Sequence, residues 1–231
     1  MKPFVSYKLT DLAAHAAREV CVIKNVLPRP FCGELTAEIL QWQKERPENQ
    51  DRGRNWWYTV KKENTAFDSF LFNELENLLP GSLRSKLSRI YGKIFESHVL
   101  CGTLTGYPDF DTLLKQRGSG PALNPLIFLY KPGTGQFRKH SHEAGFQKTQ
   151  ILINITKKGE DYSGGDTRID LDNGESVNLG DFLDQGDLFS FPYTLFHSVS
   201  PVESPAGQGG RGRISVLMPF HPHSGGYVRY R

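Results

Sequence analysis

The chain has no run of the roughly 18 apolar residues that a membrane-spanning helix needs. Its first residues, MKPFVSYKLTDLAAHAAREV, lack the uninterrupted apolar core of a secretory signal. Cysteine is scarce. Three residues (Cys21, Cys32, Cys101), odd in number and scattered, make a disulfide framework or zinc knuckle a poor reading and favour a reducing cytoplasm. Charge of one sign is also lacking, because a net +3 is too small to imply nucleic-acid binding. There is no internal repeat and no linker that would split the chain, so residues 1–231 read as one domain.

What is present falls into two textures. Over about residues 1–100 the pattern reads mostly helical. LTDLAAHAAREV and ELTAEILQWQKE carry apolar residues at 3.6-type spacing, the second after a turn at PRPFCG, with a short strand VCVIKNVL between them. FDSFLFNELENLLPGSLRSKLSRIYGKIF reads as two further helical segments broken at Pro80-Gly81. From about residue 101 the chain changes to short apolar or alternating runs: PLIFLY, QFRKHSH, TQILINIT, DTRIDL, ESVNL, DLFSFP, FHSVSPV and RISVLMPF. Turns rich in Gly, Pro, Asn and Asp separate them, among them the hairpin signal Asn173-Gly174. The fold expected is mainly β with supporting helices, a double-stranded β-helix (jelly roll) preceded by an N-terminal helical region.

Within QFRKHSH, His140 and His142 are two apart, a spacing that places both side chains on one face of a strand. A third histidine, His197, follows in FPYTLFHSVSPV. Two neighbouring ligands on one strand and a third on a distant strand are what an iron site of the facial-triad kind requires, with positions left open for a co-substrate and oxygen.

The order of motifs then carries a resemblance. Tyr130-Lys-Pro-Gly, Gly135-Gln-Phe-Arg-Lys-His140, Tyr162-Ser-Gly-Gly-Asp166, Gly186-Asp-Leu-Phe-Ser-Phe191, His197-Ser-Val-Ser-Pro-Val202 and Arg213-Ile-Ser215 run in sequence over roughly residues 125 to 220. In that order they resemble the Fe(II)- and 2-oxoglutarate-dependent oxygenases of the prolyl-hydroxylase-like branch. The resemblance implies His140 and His197 as iron ligands and Arg213 as the residue that clamps the far carboxylate of 2-oxoglutarate. That is a task for which a planar guanidinium fork is suited. It also implies Ser215 and Tyr130 as hydrogen-bonding partners of the co-substrate, with Asn154 a further candidate, and an N-terminal region of about 1–100 serving as support and substrate lid around a jelly roll of about 101–231.

Position 142 departs from the resemblance, since the family carries Asp or Glu there. Four readings remain. His142 completes a three-histidine site; or Glu143 supplies the carboxylate, which needs a bulge or the strand's end; or the position stays vacant and a halide binds; or the fold persists without productive metal. The first is carried forward, with a neutral imidazole as a competent iron ligand.

The remaining histidines (His15, His98, His221, His223) read as structural, and the tail FHPHSGGYVRYR as a solvated terminus. Arg211 reads as a loop charge beside Arg213, and DLDNGES as a hairpin turn, its glycine one position early for a calcium loop. NQDRGRNWWYTVKKEN mixes aromatic and basic residues but reads as a partly buried strand. The expected function is an oxygenase that uses Fe(II), 2-oxoglutarate and O2 to hydroxylate or otherwise oxidise a small molecule, such as an amino acid or natural-product intermediate, with a peptide as second choice. The alternatives are a non-catalytic jelly-roll module that binds a ligand, and an iron oxygenase on the same fold that does not use 2-oxoglutarate.

Overall fold

Alternation along the strands explains how a single sheet serves two purposes. In a computed structural model of the chain, residues 1–45, 58–71, 79–104, 109–110, 122–123, 125–142, 147–206 and 209–221 are described. The main sheet is built from β1 (Phe4–Ser6), β2 (Cys21–Ile23), β3 (Tyr58–Lys62), β4 (Thr65–Leu71), β6 (Leu126–Tyr130), β8 (Thr149–Asn154), β12 (Leu188–Pro192) and β15 (Arg213–Leu217). These lie in the order β1-β2-β12-β8-β15-β6-β4-β3. Facing it is a smaller sheet, β11-β10-β13-β7, made of β7 (Phe137–His140), β10 (Thr167–Asp170), β11 (Ser176–Asn178) and β13 (His197–Val199). Among the described residues two further short pairs form: β14 (Val202–Glu203) with β9 (Ser163–Gly164), and β16 (Phe220–His221) with β5 (Ala122–Leu123). Two facing sheets, antiparallel apart from the parallel edge pair β1–β2, form the double-sheet jelly roll expected.

On one face of the main sheet, Ile127, Leu129, Ile151, Ile153, Ile214 and Val216 are buried against helices. Those helices are α1 (Leu12–His15), α2 (Arg29–Glu45) and α3 (Gly81–Leu100). They contribute Leu12, Leu35, Ile39, Leu83, Leu87, Ile90 and Ile94, each at most 1% exposed. Burying one such side chain is worth about 1.5–3 kcal/mol, so the helical layer is anchored by packing rather than by helix propensity. The alternate residues, Leu126, Phe128, Tyr130, Gln150, Leu152, Arg213, Ser215 and Leu217, look the other way, towards the smaller sheet. That is where the site lies.

All eight strand segments expected after residue 101 form, and the Asn173-Gly174 turn joins β10 to β11 with Gly174 at φ 84°. The first hundred residues hold more β-structure than expected. FDSFL is not helical: Thr65–Leu71 is strand β4, hydrogen-bonded between β3 and β6. Residues 28–33 are not a separate turn either. Helix α2 already starts at Arg29, and the Cys32 amide donates to the Pro28 carbonyl at 3.1 Å. Proline is tolerated there because a first-turn N–H has no helical partner to lose. Pro80 precedes α3, where the break was expected, and Gly102 at φ 67° ends it. Of the aromatic and basic stretch, Tyr58–Lys62 is strand, while Trp56 and Trp57 lie outside the described residues. No helix among the described residues is long and apolar enough to cross a membrane.

Candidate metal centre and co-substrate pocket

The site begins with a mismatch between two strands. On β13, His197 and Val199 are two residues apart; their partners on β7, His140 and Phe137, are three apart. The extra residue is a bulge at Arg138–Lys139, and it lets Phe137 and His140 both face the interior. His140 therefore lies directly across from His197, ring centroids 4.1 Å apart. The strand ends at His140, and His142 arrives from the loop that follows, 5.3 Å from His140 and 5.2 Å from His197 by ring centroid. Tyr193 stacks on His142 at 4.3 Å and 14° between planes. One ring nitrogen from each of the three histidines lies within 4.8 Å of the other two, close enough for all three to hold one metal ion.

Each of the two cross-strand histidines is held by its own chain. Nδ1 of His140 donates to the Arg138 carbonyl at 2.9 Å, and Nδ1 of His197 to the Leu195 carbonyl at 3.0 Å. A carbonyl only accepts, so the proton sits on Nδ1 and the Nε2 lone pair is left for a metal. Burial, with a lesser push from His140 and then His142, lowers His197 to about 3. Burial likewise lowers His140. Rings held neutral are what a metal needs. The donor set fits a divalent first-row metal, with three imidazoles and an open side.

The other end of the cavity is built around Arg213, 2% exposed. Its guanidinium donates to the Gly165 carbonyl at 2.6 Å and to Thr167 Oγ1 at 2.7 Å, and sits 5.8 Å from the Tyr130 ring centre. Among the described residues its bonds go to those two oxygens and to no carboxylate, and Nε is buried without a partner, as is Ser215 Oγ beside it. Carrying an unpaired cation inside a protein is costly unless an anion comes to it. The span fits a dicarboxylate as well. Thr167 faces Val199 on β13, and Ile169, two residues on, faces His197. Two strand residues are about 7 Å, close to the length of a five-carbon diacid. The cavity is not a filled core. It has about 50 Å³ for water-molecule centres, room for several waters at roughly 10–15 Å³ each.

Position by position, the structure brings together His140, His142, His197, Tyr130, Arg213 and Ser215 around one cavity. Asn154 pairs with Ser215 across β8 and β15, but it is not in the lining, and its amide nitrogen donates to the carbonyls of Thr156 and Asp184. Glu143 lies outside the described residues, as do residues 222–231 of the tail, whereas Phe220–His221 is not a loose terminus but strand β16, paired with β5. Arg211 does more than carry a loop charge, since it pairs with the buried Asp161. His98 is fully buried in α3, and His15 stacks on Phe4 at 3.8 Å. Thr167, Gly165, Tyr193 and Gln150 escaped the sequence reading. The Gly-Gly step offered a signal: Gly164 and Gly165 have φ near 60°, and a Cβ on Gly164 would collide with the Pro201 carbonyl oxygen.

No family model and no curated protein matches the chain. Solved structures do. A prolyl-4-hydroxylase from Pseudomonas putida superposes at TM-score 0.57 with 15% identity, covering 94% of this chain and 97% of that one. A prolyl hydroxylase from Trichoplax adhaerens, solved with a hypoxia-inducible-factor peptide fragment, gives 0.63 at 12% identity, with 93% and 90% covered. The chain has the prolyl-hydroxylase fold. The non-haem α-ketoglutarate-dependent epimerase SnoN of nogalamycin biosynthesis shares it, at TM-score 0.57 and 12% identity, with 95% and 87% covered. On that fold the three histidines gather at one end of the cavity formed between the two sheets, and the buried arginine at the other.

Proposed function

We propose that this chain is a non-haem iron oxygenase that consumes 2-oxoglutarate and O2 and oxidises a small molecule, releasing succinate and CO2. One observation carries the reading: a buried guanidinium without a carboxylate partner shares a cavity with three inward-facing imidazoles, about 7 Å of strand away. Likeness to the bacterial prolyl-4-hydroxylase and to the ketoglutarate-dependent epimerase supports it. Iron(II) and 2-oxoglutarate together supply the oxidising chemistry. The protein binds, orients and keeps water away.

In this reading His140, His142 and His197 hold the metal through nitrogen, and the Arg138 and Leu195 carbonyls fix the first and last of them. Arg213 takes the far carboxylate of the diacid as a charge-assisted pair, Ser215 Oγ adds a donor, and Tyr130 borders the same pocket. Thr167 and the Gly165 carbonyl aim the guanidinium. Phe137, Phe191, Leu152 and Leu217 supply apolar walls. An oxygenase that dispensed with 2-oxoglutarate would leave Arg213 without an anion, which is why the keto-acid reading is preferred. A small-molecule substrate is preferred to a peptide, and the three free cysteines fit a reducing cytoplasm.

Anaerobic titration of the whole protein with Fe(II) and then 2-oxoglutarate tests the proposal. A weak visible charge-transfer band, followed by succinate release in air, is the expected result. A folded protein that gives neither would refute it.

A further inference from the structure

Gln150 has no place in the machinery just described, yet it is 4% exposed and lines the same cavity as the histidines. Its orientation follows from its neighbours. The Thr149 carbonyl can only accept, so the bond to it at 2.9 Å makes the donor atom Nε2 of Gln147. That same nitrogen donates to Gln150 Oε1 at 3.1 Å. Gln150 therefore spends its oxygen on Gln147 and turns its NH2 group the other way. This nitrogen donates to no described residue. A pair of amide hydrogens is left to face an otherwise largely apolar chamber.

Its place in the chamber separates it from the diacid site. Gln150 faces Phe191 across β8 and β12, and Phe191 packs on His197 with centroids 4.8 Å apart. The Ser215–Asn154 pair lies four residues along β8, about 13 Å of strand. A diacid anchored at Arg213 and Ser215 spans four carbon–carbon bonds of about 1.5 Å each and does not reach that far. Whatever accepts from Gln150 is a different molecule, at the histidine end.

We propose that Gln150 is a specificity-determining residue that reads a carbonyl oxygen on the substrate, and that the substrate is a compact, mainly apolar molecule carrying such a carbonyl next to the carbon that reacts. Gln147 is the positioning residue that holds the amide the right way round. The substrate assignment rests on the oxygenase reading above; the hydrogen-bonding role of Gln150 does not.

Phenylacetamide and propylbenzene make a pair of probes that share a benzyl group, of which only the first has a carbonyl. In ¹⁵N-labelled full-length protein, the side-chain NH2 resonance of Gln150 is identified by its loss in Gln150→Leu. Phenylacetamide should shift this resonance and propylbenzene should not, and Gln150→Leu should weaken phenylacetamide alone, by about 3–10-fold, the worth of one neutral hydrogen bond. Gln147→Leu, which frees the amide to turn, should give a smaller loss of the same selectivity. Equal affinity of wild type and Gln150→Leu for phenylacetamide would overturn the proposal. So would a changed Fe(II)–2-oxoglutarate absorption band in Gln150→Leu, which would move the residue's role to the co-substrate. The probes are measured without metal, so a failed Fe(II) titration would remove the oxygenase reading and leave the hydrogen bond from Gln150 to be decided by the probes alone.

Discussion

His140 and His197 occupy directly opposed positions on neighbouring antiparallel strands, and each is pinned by the carbonyl two residues before it in its own chain. Two candidate ligands are thus oriented by backbone carbonyls, and among the described residues no carboxylate joins them. The third, His142, lies past the strand's end and leans on Tyr193. Order at the site is therefore graded, and His142 is the candidate ligand that substitution tests best.

His142→Ala is expected to weaken Fe(II) binding at least as much as loss of an outer partner does, about 10–100-fold. His142→Asp restores a carboxylate and should bind Fe(II) at least as tightly as wild type, because it adds a negative charge beside the ion. Competition against a chelator under anaerobic conditions measures both. If His142→Ala were silent and Glu143→Gln costly, the ligand would be Glu143 instead.

Arg213→Met separates function from stability. The guanidinium is buried and has no counter-ion among the described residues, so replacing it with an apolar side chain of similar length should leave the ligand-free melting temperature unchanged or higher. The Fe(II)-loaded wild type should gain about 5–10 °C at 2-oxoglutarate one hundredfold above its Kd, from about 2.7 kcal/mol of binding linkage. The variant should gain nothing. Differential scanning fluorimetry of both proteins, with and without the diacid, decides the point.

These two positions also show what a sequence can reveal. Arg213 and Ser215 were reached through the ordered motifs of a resemblance, and the alternation that puts residues i and i+2 on one face holds along β15, so that both line the cavity. His142 was reached for an incomplete reason. The i, i+2 argument assumed a continuous strand, whereas the strand has a bulge and stops at His140. Thr65–Leu71 was misread because Phe67, Phe70 and Leu71 happen to fall at helical spacing. What makes it a strand is β6, nearly sixty residues away. Thr167 and Gln150 are neutral polar residues whose roles exist only once register sets them against a guanidinium or an open chamber.

The Gly-Gly step should be intolerant of a side chain. Gly164→Ala forces φ near 60° on alanine and drives its Cβ into the Pro201 carbonyl oxygen, in the strand pair β9–β14. Strain of this kind costs about 1–3 kcal/mol before any displacement of backbone is counted. Displacement matters, because the next carbonyl, Gly165, holds Arg213. Gly164→Ala is expected to lower both the melting temperature and 2-oxoglutarate affinity. Gly174→Ala, with φ 84° but nothing within 4 Å of the added Cβ, should lower stability only. Equal effects of the two on diacid binding would dissociate the Gly-Gly step from the arginine.

Acid should destabilise the metal-free protein through its buried imidazoles. Burial holds His98 at about 3, against an ordinary value near 6.5, and His197 at about 3 for the same first cause. Below 6.5 the unfolded chain takes up a proton at each of these positions while the folded chain does not, so stability falls with pH until about 3 is reached. Each such group contributes a slope of about 1.4 kcal/mol per pH unit. Between pH 7.5 and 5, His98 alone should remove about 2 kcal/mol, since only the 1.5 units below 6.5 count. Urea denaturation of wild type and His98→Leu at the two pH values gives the comparison. The variant should lose about 2 kcal/mol less on acidification than wild type does. Identical losses would mean that His98 is protonated inside the fold and that burial is not what sets its charge.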